Sequence, residues 1–320
     1  MDSKDSKVDK SKEAAKEAAK EALYKLKQRQ ALTLDDKEQL TQRRIREWYN
    51  HFNGNVSVSF SGGKDSTVLL HQVRRLYPEV PAMFVDTGLE YPEIKDFVKT
   101  IDNVRWMKPK MAFHKVIEKY GYPVISKRQA RYIQDLQNAS DNNKNVCNLR
   151  RTGYTQAGRY LPSMKLSKKW MKMVESGFKI SGKCCDVMKK EPFHRYLKET
   201  GRYPMTAVMA CESTMREADY LKTGCNAFHT KSKDTCISRP MAFWMEEDIW
   251  KYIEVHKVPY SKIYDMGEKR TGCMFCMFGV HLEKGENRFQ RMKKSHPKHY
   301  DLCINKLGCG KILDFIGVDY

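Results

Sequence analysis

The sequence has no long apolar run. Nothing in its 320 residues approaches the ~20 consecutive apolar side chains that cross a bilayer. Its first residues, MDSKDSKVDKSKEAAK, also lack the apolar core of a secretory leader. These absences lead us to expect a soluble, cytoplasmic chain with no membrane partner. Acidic charge is scarce, with 39 Asp and Glu against 59 Lys and Arg and a formal net charge of +20. No internal repeat appears beyond an Ala-Glu-Lys run near the start. Core-forming residues, in contrast, are plentiful. Hydrophobic residues at 41% and aromatics at 11% exclude wholesale disorder, and the length excludes a disulfide-stapled miniprotein. In a reducing compartment the ten cysteines read as thiols, metal ligands or nucleophiles rather than disulfides.

The excess charge is not spread evenly. Residues 101–200 carry 22 basic and 8 acidic side chains, a local +14, while 51–100 is slightly acidic. A solvated surface accounts for some basic excess; a polyanion site, nucleic acid or a phosphate-rich nucleotide, is the sharper reading.

Residues 1–11 read as a disordered tail. The following KEAAKEAAKEALYKLKQRQ, with Glu13, Glu17 and Glu21 at four-residue spacing, reads as a helix on propensity, weakly amphipathic and loosely docked. Thr33 is a plausible N-cap for a second helix reaching about Phe52. From Asn53 the apolar period shortens to two at Val56, Val58 and Phe60, and Ser61-Gly62-Gly63 leads into a helix from about Ser66 to Tyr77. A strand at 81–85 ending in Asp86-Thr87-Gly88, a helix from Pro92, a strand near Val104-Arg105-Trp106 and a helix at 112–120 continue the alternation. This β-α order predicts an α/β fold, a Rossmann-like parallel sheet with helices on both faces and an N-terminal helical extension. Ligands of such sheets bind beyond the carboxyl ends of the strands, where Ser61 and Asp86 fall. Residues 137–165, rich in Asn, Gly and Ser, read as a long mobile segment or lid. Strand pattern returns at 205–209, and a helix is expected at about Glu246–His256. The expected organisation is 1–52 as tail and helical extension, 53–280 as the α/β domain with a basic lid-like insertion at about 137–183, and 281–320 as a C-terminal segment.

Ser61, Gly62, Gly63, Lys64, Asp65 and Ser66 form the strongest motif. Paired glycines let the backbone turn tightly and expose successive N–H groups at a helix N-terminus, while Lys64 and the serine hydroxyls complete an anion cradle. It fits neither a Walker A loop nor GxGxxG. The spelling SGGKDS resembles the PP-loop of the ATP-pyrophosphatase superfamily. With FVDTGLEYPE, MACESTMR, RPMAFWMEEDIWKYI and YDMGEKRTGCMFC in order over about 55–280, the chain more narrowly resembles the phosphoadenylyl-sulfate and adenylyl-sulfate reductases. That resemblance implies an adenine nucleotide alpha hydrolase-like fold that binds ATP or adenylyl sulfate. It implies phosphate or sulfate gripped by Ser61–Ser66, the adenosine beside Asp86, Thr87, Gly88 and Glu90, and Arg216 with Lys64 on the anionic end. A guanidinium forks onto two oxygens, which suits that role.

Cys184-Cys185 and Cys273-x-x-Cys276 supply four thiols, enough for a tetrahedral zinc site or a [4Fe–4S] cluster, and spacing alone does not separate the two. The resemblance does. In that family a Cys-Cys pair followed some 80–90 residues later by CxxC marks cluster-bearing members, and here 88 residues separate Cys185 from Cys273. The family's reductases also use a C-terminal nucleophile in Glu-Cys-Gly-(Leu/Ile)-His. This chain has Leu307-Gly308-Cys309-Gly310-Lys311, so Cys309 is a candidate lacking both flanking residues. Cys303 is a weaker one, and Cys147, Cys211, Cys225 and Cys236 read as buried. His281, His296 and His299 read as surface residues, and Trp244 and Trp250 as packing. Lys165, Lys168, Lys169, Lys172, Lys179 and Lys183, interleaved with Trp170 and Phe178, suit an anionic nucleotide or single-stranded nucleic acid.

Three functions follow. The first is a sulfonucleotide reductase-like oxidoreductase of sulfur metabolism served by a thioredoxin-like reductant. The second is an ATP pyrophosphatase acting in sulfur transfer to, or modification of, tRNA or DNA. The third is a non-catalytic nucleotide- and cluster-sensing protein, a regulator or defence component that docks DNA. The sequence leaves the oligomeric state open, a homo-oligomer included.

Overall fold

The computed structural model describes residues 17–228 and 236–320. The expected tail at 1–11, and Glu13 with the start of the first helix, lie outside the described residues. In chain order the helices are α1 (17–30), α2 (Leu34–His51), α3 (Lys64–Leu76), α4 (Pro92–Lys99), α5 (Phe113–Tyr120), α6 (Lys127–Gln137), α7 (Lys144–Thr152), α8 (Glu191–Thr200), α9 (Thr214–Thr223), α10 (Glu246–His256), α11 (Arg288–Ser295), α12 (Pro297–Asp301) and α13 (Cys309–Ile316). The strands are β1 (Val56–Ser59), β2 (Ala82–Val85), β3 (Val104–Met107), β4 (Val124–Ile125), β5 (Tyr203–Met205), β6 (Asn226–Ala227), β7 (Ile237–Ser238) and β8 (Met277–Phe278).

Two compact units share the chain. The first takes the chain up to Phe84, Glu93–Trp106 and His194–Lys262; the second takes Val85–Pro92, Met107–Phe193 and Ile263–Tyr320. The first unit is built on a six-stranded sheet of order β3-β2-β1-β5-β7-β6. Strand β1 runs parallel to β2 and β5, β5 runs parallel to β7, and the edge strand β6 is antiparallel. Stepping outward from β1 in both directions is the arrangement of a doubly wound α/β sheet, as expected from the β-α alternation. Successive residues of a strand point to opposite faces, and Val56, Ser57 and Val58 are all buried, so both faces of β1 are covered. Strand β5 begins two residues before the apolar pattern suggested and ends at Met205; Thr206 then donates its N–H to the Ser238 carbonyl at 2.8 Å.

The N-terminal helices are fixed to this unit. Thr33 caps α2 by accepting from Asp36 N–H, as expected. Buried Lys37 pairs with Asp248 on α10 at 2.6 Å, and Trp244 donates to Thr41 at 2.8 Å. Helix α1 is held more firmly than its Ala-rich composition suggested. Leu26 is fully buried, and Arg29 donates to the Tyr220 hydroxyl of α9 at 2.6 Å.

In the second unit β4 and β8 form a short parallel pair. The stretch 137–165 contains ordered elements where its composition suggested a mobile loop. Ser140 and Asn143 cap each other's backbone ahead of α7, and Gly153, at φ +86°, ends that helix in the left-handed region. No helix among the described residues is long and apolar enough to cross a membrane.

Candidate functional site

The Ser61–Ser66 loop of the first unit joins the carboxyl end of β1 to the N-terminus of α3. Gly62 sits at φ +72°, and a Cβ there would approach Val98 and Ile94 within 2.7 and 2.8 Å, so no larger residue fits. The loop is braced from within. Ser66 Oγ accepts from Ser61 N–H at 3.1 Å, lies 3.0 Å from Ser61 Oγ and donates to the Gly63 carbonyl at 2.9 Å. Lys64 is only 4% exposed. Its ammonium meets Asp65 at 2.8 Å and Glu246 at 3.4 Å and lies 5.9 Å from the Trp250 ring. The 13-residue helix α3 aims its free N–H groups and partial positive charge at this loop, so an anion of compact shape is the natural guest. All six residues of the sequence motif thus come together in one unit.

Arg216 belongs to the same unit, in the first turn of α9, where it pairs with Glu212. Cys211 departs from expectation. It was read as buried but is exposed. Its sulfur rests 3.4 Å from the Trp244 carbonyl, and its thiol is pushed up by burial of the sulfur first and then by Glu212, Glu246 and Asp65. Two of those carboxylates also bracket Lys64, which sets an accessible thiol in the electrostatic reach of the loop. Cys147, Cys225 and Cys236 are buried as expected.

In the second unit, Asp86, Thr87, Gly88 and Glu90 form a self-bonded turn. Glu90 accepts from Thr87 N–H at 2.9 Å and from Thr87 Oγ1 at 2.7 Å, and Asp86 accepts from Gly88 N–H at 3.1 Å. The turn is tied to the CxxC loop, because Met274 N–H donates to the Leu89 carbonyl at 2.8 Å and Thr87 Oγ1 lies 4.0 Å from Cys273 Sγ. Burial, above all, pushes the thiols of Cys184, Cys185, Cys273 and Cys276 up, and Cys273 and Cys276 each add to that of Cys184. The four thiols therefore share one electrostatic neighbourhood. Arg288 donates to the Cys276 carbonyl at 3.0 Å and steadies the loop.

Lys189 was missed by the sequence reading. It follows Cys185 by four residues on a wide helical turn, Asp186–Lys190, and is exposed to solvent. Its ammonium is pushed up, first by the charge of Cys273. The signal was the i, i+4 spacing in Cys-Cys-Asp-Val-Met-Lys, which places cation and thiol on one side of a helical turn.

As a set of donors, four thiols beside an ammonium fit an anionic iron–sulfur cluster. Among the described residues no group of three or more His, Cys, Asp or Glu side chains is arranged to hold a single metal ion.

Cys303 and Cys309 lie elsewhere in the second unit. Both are fully buried, and the Cys303 thiol is pushed up by its hydrogen bond to Cys309 and then by burial. His296, read as a surface residue, is buried with its ring 5.4 Å from that of Tyr91. Trp170, read as a stacking residue, is only 5% exposed and carries Lys169 over its ring at 4.8 Å.

Known proteins resemble this chain at low identity. An uncharacterised protein of Methanocaldococcus jannaschii is 24% identical over 260 residues, covering 79% of this chain and 47% of that protein. With a second relative from the same organism covered to 43%, the chain spans about half the length of these two. The adenosine 5'-phosphosulfate reductase of Bacillus cytotoxicus is 22% identical over 237 residues, covering 74% of this chain and 79% of the enzyme. Among solved structures, the U34-tRNA thiolase NcsA of Methanococcus maripaludis, with its [4Fe–4S] cluster, aligns loosely at a TM-score of 0.38 and 13% identity, covering 87% of this chain and 79% of that one. The model of the phosphoadenosine phosphosulfate reductase domain matches residues 55–152 and 132–278. The match takes in both the Ser61–Ser66 loop and Cys184, Cys185, Cys273 and Cys276, and the chain belongs to the phosphoadenosine phosphosulfate reductase domain family.

Proposed function

We propose that the protein is a PP-loop enzyme that binds ATP, carries a [4Fe–4S] cluster on Cys184, Cys185, Cys273 and Cys276, and splits ATP into AMP and pyrophosphate to activate an acceptor. The observation that carries this reading is the contrast between a preformed phosphate cradle and a sealed C-terminal thiol. Reduction of a sulfonucleotide needs an accessible thiolate to attack sulfur; Cys309 has no exposed surface, and the accessible thiol of Cys211 is pushed up, away from its thiolate form, by burial and by Glu212. Pyrophosphate release needs no such thiol. An acceptor oxygen, or water where no acceptor is supplied, loses its proton and attacks the α-phosphorus, the bond to the bridging oxygen of the β-phosphate breaks, and the charge of the departing pyrophosphate falls on the loop amides and Lys64. AMP is then the direct product with water, or leaves an adenylylated acceptor when a nucleophile attacks it. Asp86, Thr87, Gly88 and Glu90 serve the adenosine, and Arg216 an anionic group. A bound cluster would supply a polarising or sulfur-handling centre. The charge of Lys189 suits such an anion.

A second reading, reduction of adenylyl sulfate with a thioredoxin-like donor, is favoured by the similarity to adenosine 5'-phosphosulfate reductases. Anaerobic purification with iron and zinc analysis, followed by incubation with ATP and, separately, with adenylyl sulfate and reduced thioredoxin, distinguishes them. We expect iron near four per chain and pyrophosphate from ATP. Sulfite from adenylyl sulfate selects the second reading, and zinc with neither product removes both.

A further inference from the structure

The second unit contains an exposed aromatic pair that the nucleotide site does not use. Past α7, the chain turns at Gly153 into a closed hairpin. Thr155 N–H donates to the Arg159 carbonyl at 2.9 Å, and Leu161 N–H donates to the Gly153 carbonyl at 2.7 Å. Tyr154 and Tyr160 pair across it in an antiparallel bridge, with ring centroids 4.9 Å apart and planes inclined at 42°. Each tyrosine is 50% exposed. A Cβ on Gly153 would lie 2.8 Å from the Tyr160 ring and 3.5 Å from the Lys165 Cβ, so Lys165 stands beside that ring.

The hairpin rests on a firm base. Buried Arg150 pairs with Asp135 at 2.9 Å and stacks over Tyr132 at 3.9 Å, while Tyr132 donates to the Ser163 carbonyl at 3.1 Å. Asn148 and Asn145 reach the hairpin at Tyr154 and Gln156. Around it the charge is one-sided. Residues 127–183 hold 13 Lys and Arg against 3 Asp and Glu, and Asp135 is already occupied by Arg150. Arg151, Arg159 and Lys165 are exposed, and among the described residues none of them forms an ion pair.

We propose that this hairpin and its flanking cations bind a single-stranded segment of nucleic acid, an RNA loop or an unpaired DNA strand. A solubilising surface has no need of two half-exposed rings held side by side on a braced turn. Cations track the phosphates, while tyrosine faces stack on bases, which only unpaired nucleotides offer. This deepens the function proposed above by naming the class of acceptor, and its test is binding rather than turnover.

Full-length protein is titrated at low salt into labelled 20-nucleotide RNA, DNA of the same sequence, and the matching duplex, read by fluorescence anisotropy. One or both single strands bind more tightly than the duplex, and the stronger of the two names the source. Tyr154→Ala weakens binding by about 5- to 150-fold, Tyr154→Phe restores it, and Arg159→Glu flattens the salt dependence by about 0.7 or more in log–log slope. Tyr160→Ala acts alike if it folds; because Tyr160 packs on Gly153, the Tyr154 and Arg159 variants carry the test if it does not. Equal binding of duplex and single strands, unchanged affinity in Tyr154→Ala, or equally tight binding of polyglutamate overturns the proposal. Tyrosine-dependent binding without ATP cleavage upholds the surface and removes the ATP-splitting reading; ATP cleavage without binding does the reverse.

Discussion

Lys64 in the Ser61–Ser66 loop and Lys165 beside the tyrosine hairpin carry the same charge in opposite settings. Lys64 is 4% exposed and tied to Asp65 and Glu246, while Lys165 is exposed and makes no ion pair among the described residues. A nearly enclosed cation among backbone amides is preorganised for one compact anion and is poorly screened by salt. Exposed cations in numbers are adaptable, weak one at a time and strongly screened, which suits an extended polyanion. On the two proposals made above, the net charge of +20 divides between two settings that a single number hides.

The largest expected effect breaks the first setting. Lys64→Ala should lower ATP-dependent pyrophosphate formation by about 100-fold or more. It should leave oligonucleotide binding within about twofold, as measured by coupled phosphate release and anisotropy on the same preparation. Next, serine at any one of Cys184, Cys185, Cys273 or Cys276 should strip most of the iron and the visible absorbance. Cys303→Ser and Cys309→Ser should retain both, because that pair is sealed apart in the same unit.

A smaller effect contrasts the two settings directly. Raising salt from 50 to 200 mM should weaken single-strand binding with a log–log slope near −3, for roughly four phosphates contacted, while the affinity for ATP in the loop changes far less. The smallest concerns the scaffold. His71 is pushed below its ordinary value, by burial first and then by Arg75 and His256. The unfolded chain therefore takes up a proton near the ordinary imidazole value that the folded chain refuses. Stability should fall as pH drops through that value and below. Comparing melting temperatures at pH 7.5 and 5.5 should show a loss that His71→Gln reduces, by roughly 2 °C or less.

These contrasts also explain what was legible in the sequence. The strand-loop-helix geometry of Ser61–Ser66 was, because its physics is local: a strand, a glycine pair with one left-handed residue, and a helix start are spelled in six letters. The parallel order around β1 followed from the β-α alternation, but the antiparallel β6 did not, since a two-residue strand leaves no periodic trace. The hairpin was hidden by its own composition. Asn, Gly and Ser read as loop, yet here they are the caps and turns of ordered elements, Ser140 and Asn143 before α7 and Gly153 after it. Trp170 looked like a stacking residue because it lies among lysines, whereas tertiary packing buries it and leaves Tyr154 and Tyr160 outside. Exposure of Cys211 was equally unreadable, since the one-turn helix Ala210–Glu212 that presents it gives no pattern in three residues.

The most direct test is to supply the anaerobically purified protein with ATP and, in parallel, with adenylyl sulfate and reduced thioredoxin, and to identify the products. Pyrophosphate and AMP from ATP, with no sulfite above background, is the predicted result. Sulfite formed at a catalytic rate, and lost in Cys309→Ser, would contradict it.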